Sequence, residues 1–355
     1  MSSPSSSPAA TAAPTFQPST LAPPPMKFPK SPVPDKNPLG EGRYIRTAAA
    51  LIIGDEILNG KTHDRNSHVF AQYCFEHGVD LKRIEVVADV EEEIVEASKR
   101  LTEKYDFVVT SGGIGPTHDD ITYESLAKSF NQPLQYHEET VHRLTEMTKH
   151  RPWVQQQNAE QRTATLRMAL LPTGNDVEII FPGEDLWVPI VRIRGRLCVL
   201  PGVPGLFQKL LHLFTPFLPL PPKSERPLRI QVYTEWVFSL PHSLYAHIYA
   251  RVESLIAPYL TALQARLKPH GIQVGSYPIL GQGVFISLIG RDLPNLSNKG
   301  NKTQTRIWLA EVAKEVEAEV GGKVVSEEEV ALKKEKSNSS LRSAKGDADD
   351  AKAKI

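Results

Sequence analysis

The chain has 355 residues, enough for two domains of ordinary size. Lys plus Arg number 41 and Asp plus Glu number 41, so the net charge is zero and the basic excess expected of a nucleic-acid binder is missing. Two cysteines, Cys74 and Cys198, argue against a disulfide framework and a zinc cluster, and both sit in apolar segments where buried free thiols are expected. The most apolar stretch, residues 210–220, is broken by Pro216 and Pro219, so no membrane span is expected.

Residues 1–43 are rich in Pro, Ser and Ala and are expected to form a disordered tail. No secretory h-region is read there. The tail lacks acids before Asp35, as a transit peptide does, but its prolines oppose an amphipathic helix and no arginine precedes Arg43. A cytoplasmic location is therefore expected, with a mitochondrial one as the minor alternative. Residues 44–53 read as a first buried strand, ending in the polar turn Gly54-Asp55-Glu56. Residues 63–77 have helical spacing, and Gly78 ends them. A strand over 81–87 leads to Asp89, and a helix over 91–104 carries acids first and bases last. Residues 106–110 form the third strand, and a helix is expected over 123–130. Strands alternate with helices in units of about 30 residues, the pattern of a parallel α/β sheet.

Helices are expected over 138–150 and 155–165, the latter with a polar run from Gln155 to Arg162 that is free to face a ligand. Short strands follow over 170–174, 177–181, 187–193 and 196–200, then the turn Pro201-Gly202-Val203-Pro204-Gly205 and a helix over 206–214. This α/β domain is placed at 44–218. Residues 219–227 are Pro-rich and read as a linker. A small α+β domain is placed at 228–325, with helix over 242–267 broken near Pro258. Residues 326–355 are charged and expected to be disordered.

The chemistry concentrates after the third strand, in Ser111-Gly112-Gly113-Ile114-Gly115-Pro116-Thr117-His118-Asp119-Asp120. Strand, glycine turn and helix start make an anion site: glycines let backbone N–H groups approach a phosphate, and the helix start adds unpaired donors. Asp119 and Asp120 would repel a bare phosphate, a conflict removed by a divalent cation of the Mg, Mn or Co class. A single aspartate there serves equally well as the cap of the next helix. Acids recur where strands end, at Asp55, Glu56, Asp89, Asp119 and Asp120, and in open α/β sheets that edge is where ligands bind.

These motifs, with Asp64-Arg65-Asn66 and Leu200-Pro201-Gly202-Val203-Pro204, resemble the molybdopterin-binding (MoaB/Mog-like) domain family. The match is nearer to its CinA-like branch, which includes the N-terminal domain of eukaryotic FAD synthases. The resemblance runs over residues 44–322, and residues 275–290 are similar to that branch's small KH-like unit. It implies a three-layer α/β/α domain with a mostly parallel sheet and a pocket for a phosphorylated pterin or an adenine dinucleotide. It also implies metal-dependent hydrolysis of the pyrophosphate of FAD or ADP-ribose. The family's Gly-Thr-Ala-Pro-Gly-like loop is replaced by Phe181-Pro182-Gly183-Glu184-Asp185-Leu186-Trp187.

The candidate site follows. Ser111, Gly112, Gly113, Gly115, Pro116, Thr117, Asn66, Pro201 and Gly202 would hold the ligand. Asp55, Asp119 and Asp120 would hold the metal. Asp55, Glu56, Asp89 and Asp120 would carry catalysis, with Glu56 or Asp89 orienting water as general base. The expected partner is a small nucleotide or pterin, and a homo-oligomer is expected. The alternatives are a molybdopterin-binding module in cofactor assembly and a non-catalytic regulator.

Overall fold

The computed structural model describes residues 27–35, 37, 39–235, 245–279, 282–291 and 308–333. In chain order the first unit holds β1 (Thr47–Ile53), α1 (Asp55–Leu58), α2 (Asn66–Glu76), β2 (Asp80–Val87), α3 (Glu91–Lys104), β3 (Phe107–Ser111), α4 (Thr122–Ser129) and β4 (Leu134–Tyr136). It continues with α5 (Glu138–Thr148), α6 (Pro152–Gln155), α7 (Ala159–Arg167), β5 (Leu170–Pro172), β6 (Val177–Ile180), β7 (Ile190–Ile193), β8 (Leu197–Leu200) and α8 (Pro204–Phe214).

Six strands form one sheet in the order β2-β1-β3-β8-β7-β6. The four from β2 to β8 are parallel, and β7 reverses direction. Residues 48–53 of β1 and all of β3 are buried, as expected for strands covered on both faces. α2 connects β1 to β2 and α3 leads back over β1 to β3, and the right-handed rule for such parallel crossovers puts the two helices on opposite faces. There α2 packs with α8 and α3 with α4, completing an α/β/α sandwich.

The second unit holds β9 (Leu228–Glu235), α9 (Tyr245–Leu267), β10 (Gln273–Ile279), β11 (Gly283–Gly290), α10 (Leu309–Val320) and β12 (Lys323–Val325). Its antiparallel sheet runs β10-β11-β9-β12. Val232, Leu263, Leu267, Ile286, Leu288 and Val316 form its core. Among the described residues, no helix is long and apolar enough to cross a membrane.

Several expectations change. Asp55 and Glu56 lie in the first turn of a short helix rather than in an open turn. The polar run from Gln155 is split between α6 and α7, because Asn158 and Gln161 form a capping box that starts a new helix. α9 runs unbroken through Pro258, its apolar side packed on the small core through Leu260, Leu263 and Leu267. The segment read as a Pro-rich linker is tied to the first unit by several contacts. The Pro219 carbonyl accepts from the Ile45 N–H, Glu225 pairs with Arg46, and Arg226 donates to the Glu76 carbonyl at the end of α2. Arg229 lies over the Phe75 ring at 4.0 Å and Arg291 donates to the Gly78 carbonyl, so cations gather where the α2 dipole favours them.

Both expected tails are partly packed. Residues 27–35 lie on the first unit through Phe28 and Ser31. Beyond Ser326, Val330 is buried with Tyr233, Ile279 and Phe285. Few apolar residues suffice for each because a preformed surface receives them. Residues 1–26 and 334–355 lie outside the described residues.

Candidate functional site

The parallel strands end at one edge. There Ser111 closes β3 and the chain turns through Gly112 (φ 110) and Gly113 (φ 64), conformations that side chains disfavour. A Cβ on Gly112 would collide with the Ile53 carbonyl, and one on Gly113 with the Thr122 hydroxyl. The start of α4 ties the turn down: Thr122 Oγ1 donates to the Gly112 carbonyl at 3.0 Å and the Thr122 N–H to the Gly113 carbonyl at 3.0 Å. Among the described residues, the N–H groups of Gly113, Ile114 and Gly115 donate to no protein acceptor. That leaves a curved run of free donors on a rigid base, the physical requirement of an anion cradle.

Asn66, the first residue of α2, links this turn to the second glycine loop. Its Nδ2 donates to Ser111 Oγ at 2.8 Å and to the Gly202 carbonyl at 2.8 Å. A Cβ on Gly202 would lie 3.2 Å from the Gly112 Cα, so the loops touch. Asn66 Oδ1 is buried without a hydrogen-bond partner in the protein. Pro201, beside Gly202 in that loop, is buried.

The acids divide into two groups. Asp55 and Asp89 face each other across the ends of β1 and β2: the Asp55 N–H donates to Asp89 Oδ2 at 2.9 Å and the Asp89 N–H to Asp55 Oδ1 at 3.4 Å. Burial pushes the Asp89 carboxyl pKa up, and the charges of Asp55, Glu56 and Asp119 push it further, against the pull of the Asp55 N–H. Asp120 instead turns back on its own loop, accepting from the Thr117 N–H at 2.9 Å and from the Thr117 hydroxyl. Among the described residues, no three His, Cys, Asp or Glu are grouped to hold a metal ion. The structure thus brings Asp55 and Asp89 together, with the charges of Glu56 and Asp119 felt at Asp89, while Thr117, on the exposed corner of the turn with Pro116, bonds Asp120 and holds the Asp119 carboxyl below its usual range. Neither Asp119 nor Asp120 caps α4, whose N-cap is Ile121 without a side-chain bond.

Sequence reasoning missed Arg167. From the last turn of α7 it pairs with Glu124 and donates to the Thr117 carbonyl, fastening the acidic turn to a helix 50 residues away. Its local pattern carries no signal of that role.

Residues 49–220, which hold every candidate side chain above, match the family described as a probable molybdopterin binding domain. This stretch belongs to that family. The chain is also similar to longer curated proteins. Over 250 residues the chain is 32% identical to a protein named probable FAD synthase from Caenorhabditis elegans, covering 68% of this chain and 45% of that one. Over 167 residues it is 32% identical to a CinA-like protein from Myxococcus xanthus (strain DK1622), covering 46% of this chain and 37% of that one. The chain therefore spans less than half the length of each of these curated relatives. A solved structure of the protein CinA from Thermoplasma acidophilum shares 30% identity over 48% of this chain and 96% of that one, with a TM-score of 0.42.

Proposed function

We propose that this edge binds the diphosphate of an adenine dinucleotide such as FAD and hydrolyses its P–O–P bond. The observation that carries the reading is the run of free N–H groups at Gly113, Ile114 and Gly115 set beside the facing carboxylates of Asp55 and Asp89. The domain's family and its FAD synthase-named relative support a flavin or nucleotide ligand over other anions.

The donor set suits a hard divalent cation. The nearby groups are carboxylate oxygens, and Mg-type ions are commonly held by one or two carboxylates together with substrate phosphates. Asp55 and Asp119 are the residues we assign to it. When bound, such an ion would neutralise diphosphate charge and lower the pKa of bound water.

The chain's own groups would do the rest. The N–H groups of Gly113, Ile114 and Gly115 would hold phosphate oxygens and the negative charge that grows on them. The Ser111 hydroxyl accepts from Asn66 and so keeps its own proton for a phosphate oxygen. Asp89, whose affinity for a proton is raised, would take the proton from the attacking water. The water oxygen forms the new P–O bond, the bridging P–O bond breaks, and FAD yields two monophosphates, FMN and AMP.

The test is turnover of FAD and ADP-ribose by the full chain with Mg, Mn and Co, beside Asp55→Asn. We expect metal-dependent product release and a loss on the order of a hundredfold in the variant, the size typical for groups that stabilise transition-state charge. Parent-rate turnover by Asp55→Asn would sink the mechanism. The family's description favours one second reading, a phosphorylated pterin held without hydrolysis. A co-purified pterin and no turnover with any of these metals would assign it.

A further inference from the structure

We propose that the segment before the family domain, residues 27–34, is a working part of the site. Through Arg143 it would position the wall that meets the substrate beyond its diphosphate. The inference rests on the dinucleotide reading above.

The first support is topology. β6 pairs antiparallel with β7 and β7 antiparallel with β8, so β6 points the same way as β8. The loop after β6, which starts at Phe181, therefore opens on the same edge as Ser111 and Gly202. This is the loop that departs from the family's pattern.

The second support is how that loop is held. The Phe28 N–H donates to the Glu184 carbonyl at 2.8 Å, and the Ser31 N–H to the Phe181 carbonyl at 2.9 Å. The Phe181 N–H returns to Ser31 Oγ at 2.9 Å. As one chain advances from 28 to 31 the other falls from 184 to 181, so the strap runs antiparallel along the loop. Arg143 of α5 locks the pair. It is 2% exposed, donates to the Pro29 carbonyl at 2.6 Å and the Leu186 carbonyl at 3.4 Å, and keeps Glu139 as its counter-ion. Its guanidinium lies 3.7 Å from the Phe181 ring centre and 5.1 Å from that of Phe28. Burying a cation is unfavourable unless its donors are met. Here they are met by backbone carbonyls of both strap and loop, so Arg143 is satisfied only when the two are joined. Lys27 and Lys30 add exposed pairs to Glu184.

β6 lies two strands beyond β8 and three beyond β3, roughly 10–15 Å from the cradle by strand spacing, so its loop is placed to meet the ring or sugar and not the reacting phosphorus. Phe28→Ala and Ser31→Ala should therefore weaken FAD binding while sparing the diphosphate chemistry. The measurements on the full chain are FAD affinity by flavin fluorescence, inorganic pyrophosphate affinity by calorimetry, and kcat and KM with FAD. We expect Kd and KM for FAD to rise on the order of tenfold, in Ser31→Ala through loss of the Phe181 N–H to Oγ hydrogen bond and in Phe28→Ala through loss of the ring under Arg143, with kcat and pyrophosphate affinity within about twofold of the parent. Arg143→Lys keeps the charge but loses the fork, and should follow the same pattern; if it does not fold, the two strap variants still decide. Parent-like FAD affinity in both strap variants overturns the proposal, as does an equal loss for FAD and pyrophosphate. If the parent binds pyrophosphate but not FAD, the dinucleotide reading fails and this inference with it; if the parent binds both and the variants do too, only the strap falls.

Discussion

Asn66→Asp tests the network that joins the two glycine loops. Asn66 is 5% exposed, and both hydrogens of its NH2 group are committed, one to Ser111 Oγ and one to the Gly202 carbonyl. A carboxylate has the same shape but no donor. Ser111 can turn its hydroxyl toward the new oxygen, so that contact survives. The Gly202 carbonyl then faces another acceptor, and leaving such a group unpaired costs about 1–3 kcal/mol. The new charge adds to this, because burial and the nearby acids disfavour ionisation. The folded-state pKa of the new group is thus raised above its unfolded value of about 3.9, so the charge penalty is full above the folded pKa and fades as pH falls through it. A protonated carboxyl can also donate to Gly202. Urea unfolding at neutral and mildly acidic pH, for Asn66→Asp and Asn66→Ala, gives the comparison. The alanine variant should lose about 1–3 kcal/mol at both pH values. The aspartate variant should lose more at neutral pH and recover toward the parent in acid. Equal, pH-independent deficits, or parent-like stability in both, would refute the reasoning.

Two further outcomes concern Gly112 and Asp89 at the same edge, with Gly195, in the β7–β8 turn at the opposite edge, as the control for the first. Gly112→Ala should destabilise by roughly 2–5 kcal/mol, combining left-handed strain of about 1–2 with overpacking of about 1–3 against the fixed Ile53 carbonyl. Gly195→Ala, at φ 65 with open space around it, should show only the strain, about 1–2 kcal/mol, and equal losses in thermal unfolding would remove the steric argument. Asp89→Asn should cut turnover about a hundredfold or more, the lower range for a lost general base. It should also raise stability at neutral pH, because ionising Asp89 opposes folding. That gain disappears as pH falls below the ordinary carboxylate range, and a less stable variant at neutral pH would contradict the raised pKa.

The sequence by itself determined the architecture of the first unit. Buried strands announced themselves as apolar runs, glycines marked where the backbone must turn, and acids followed strand after strand. Those signals are local, and β3, its glycine turn and α4 appear where the pattern predicts them, within a residue or two. The parallel arrangement then brought Ser111, Gly202, Asp55 and Asp89 to one edge, as alternating strands and helices require. What each acid does was decided only by tertiary structure. Asp119 and Asp120 are neighbours in sequence and both lie against Thr117, yet Asp120 accepts from the Thr117 N–H while the exposed Asp119 also adds to the charges that raise the Asp89 pKa. A carboxylate's partner depends on which backbone N–H the fold presents within 3 Å, and no local pattern encodes that. The same holds for Arg167 reaching Thr117, for Phe28 finding Glu184, and for Ser31 finding Phe181 across 150 residues. A proline-rich segment looks unstructured by composition, because composition counts the apolar surface a segment carries and not the surface waiting to receive it.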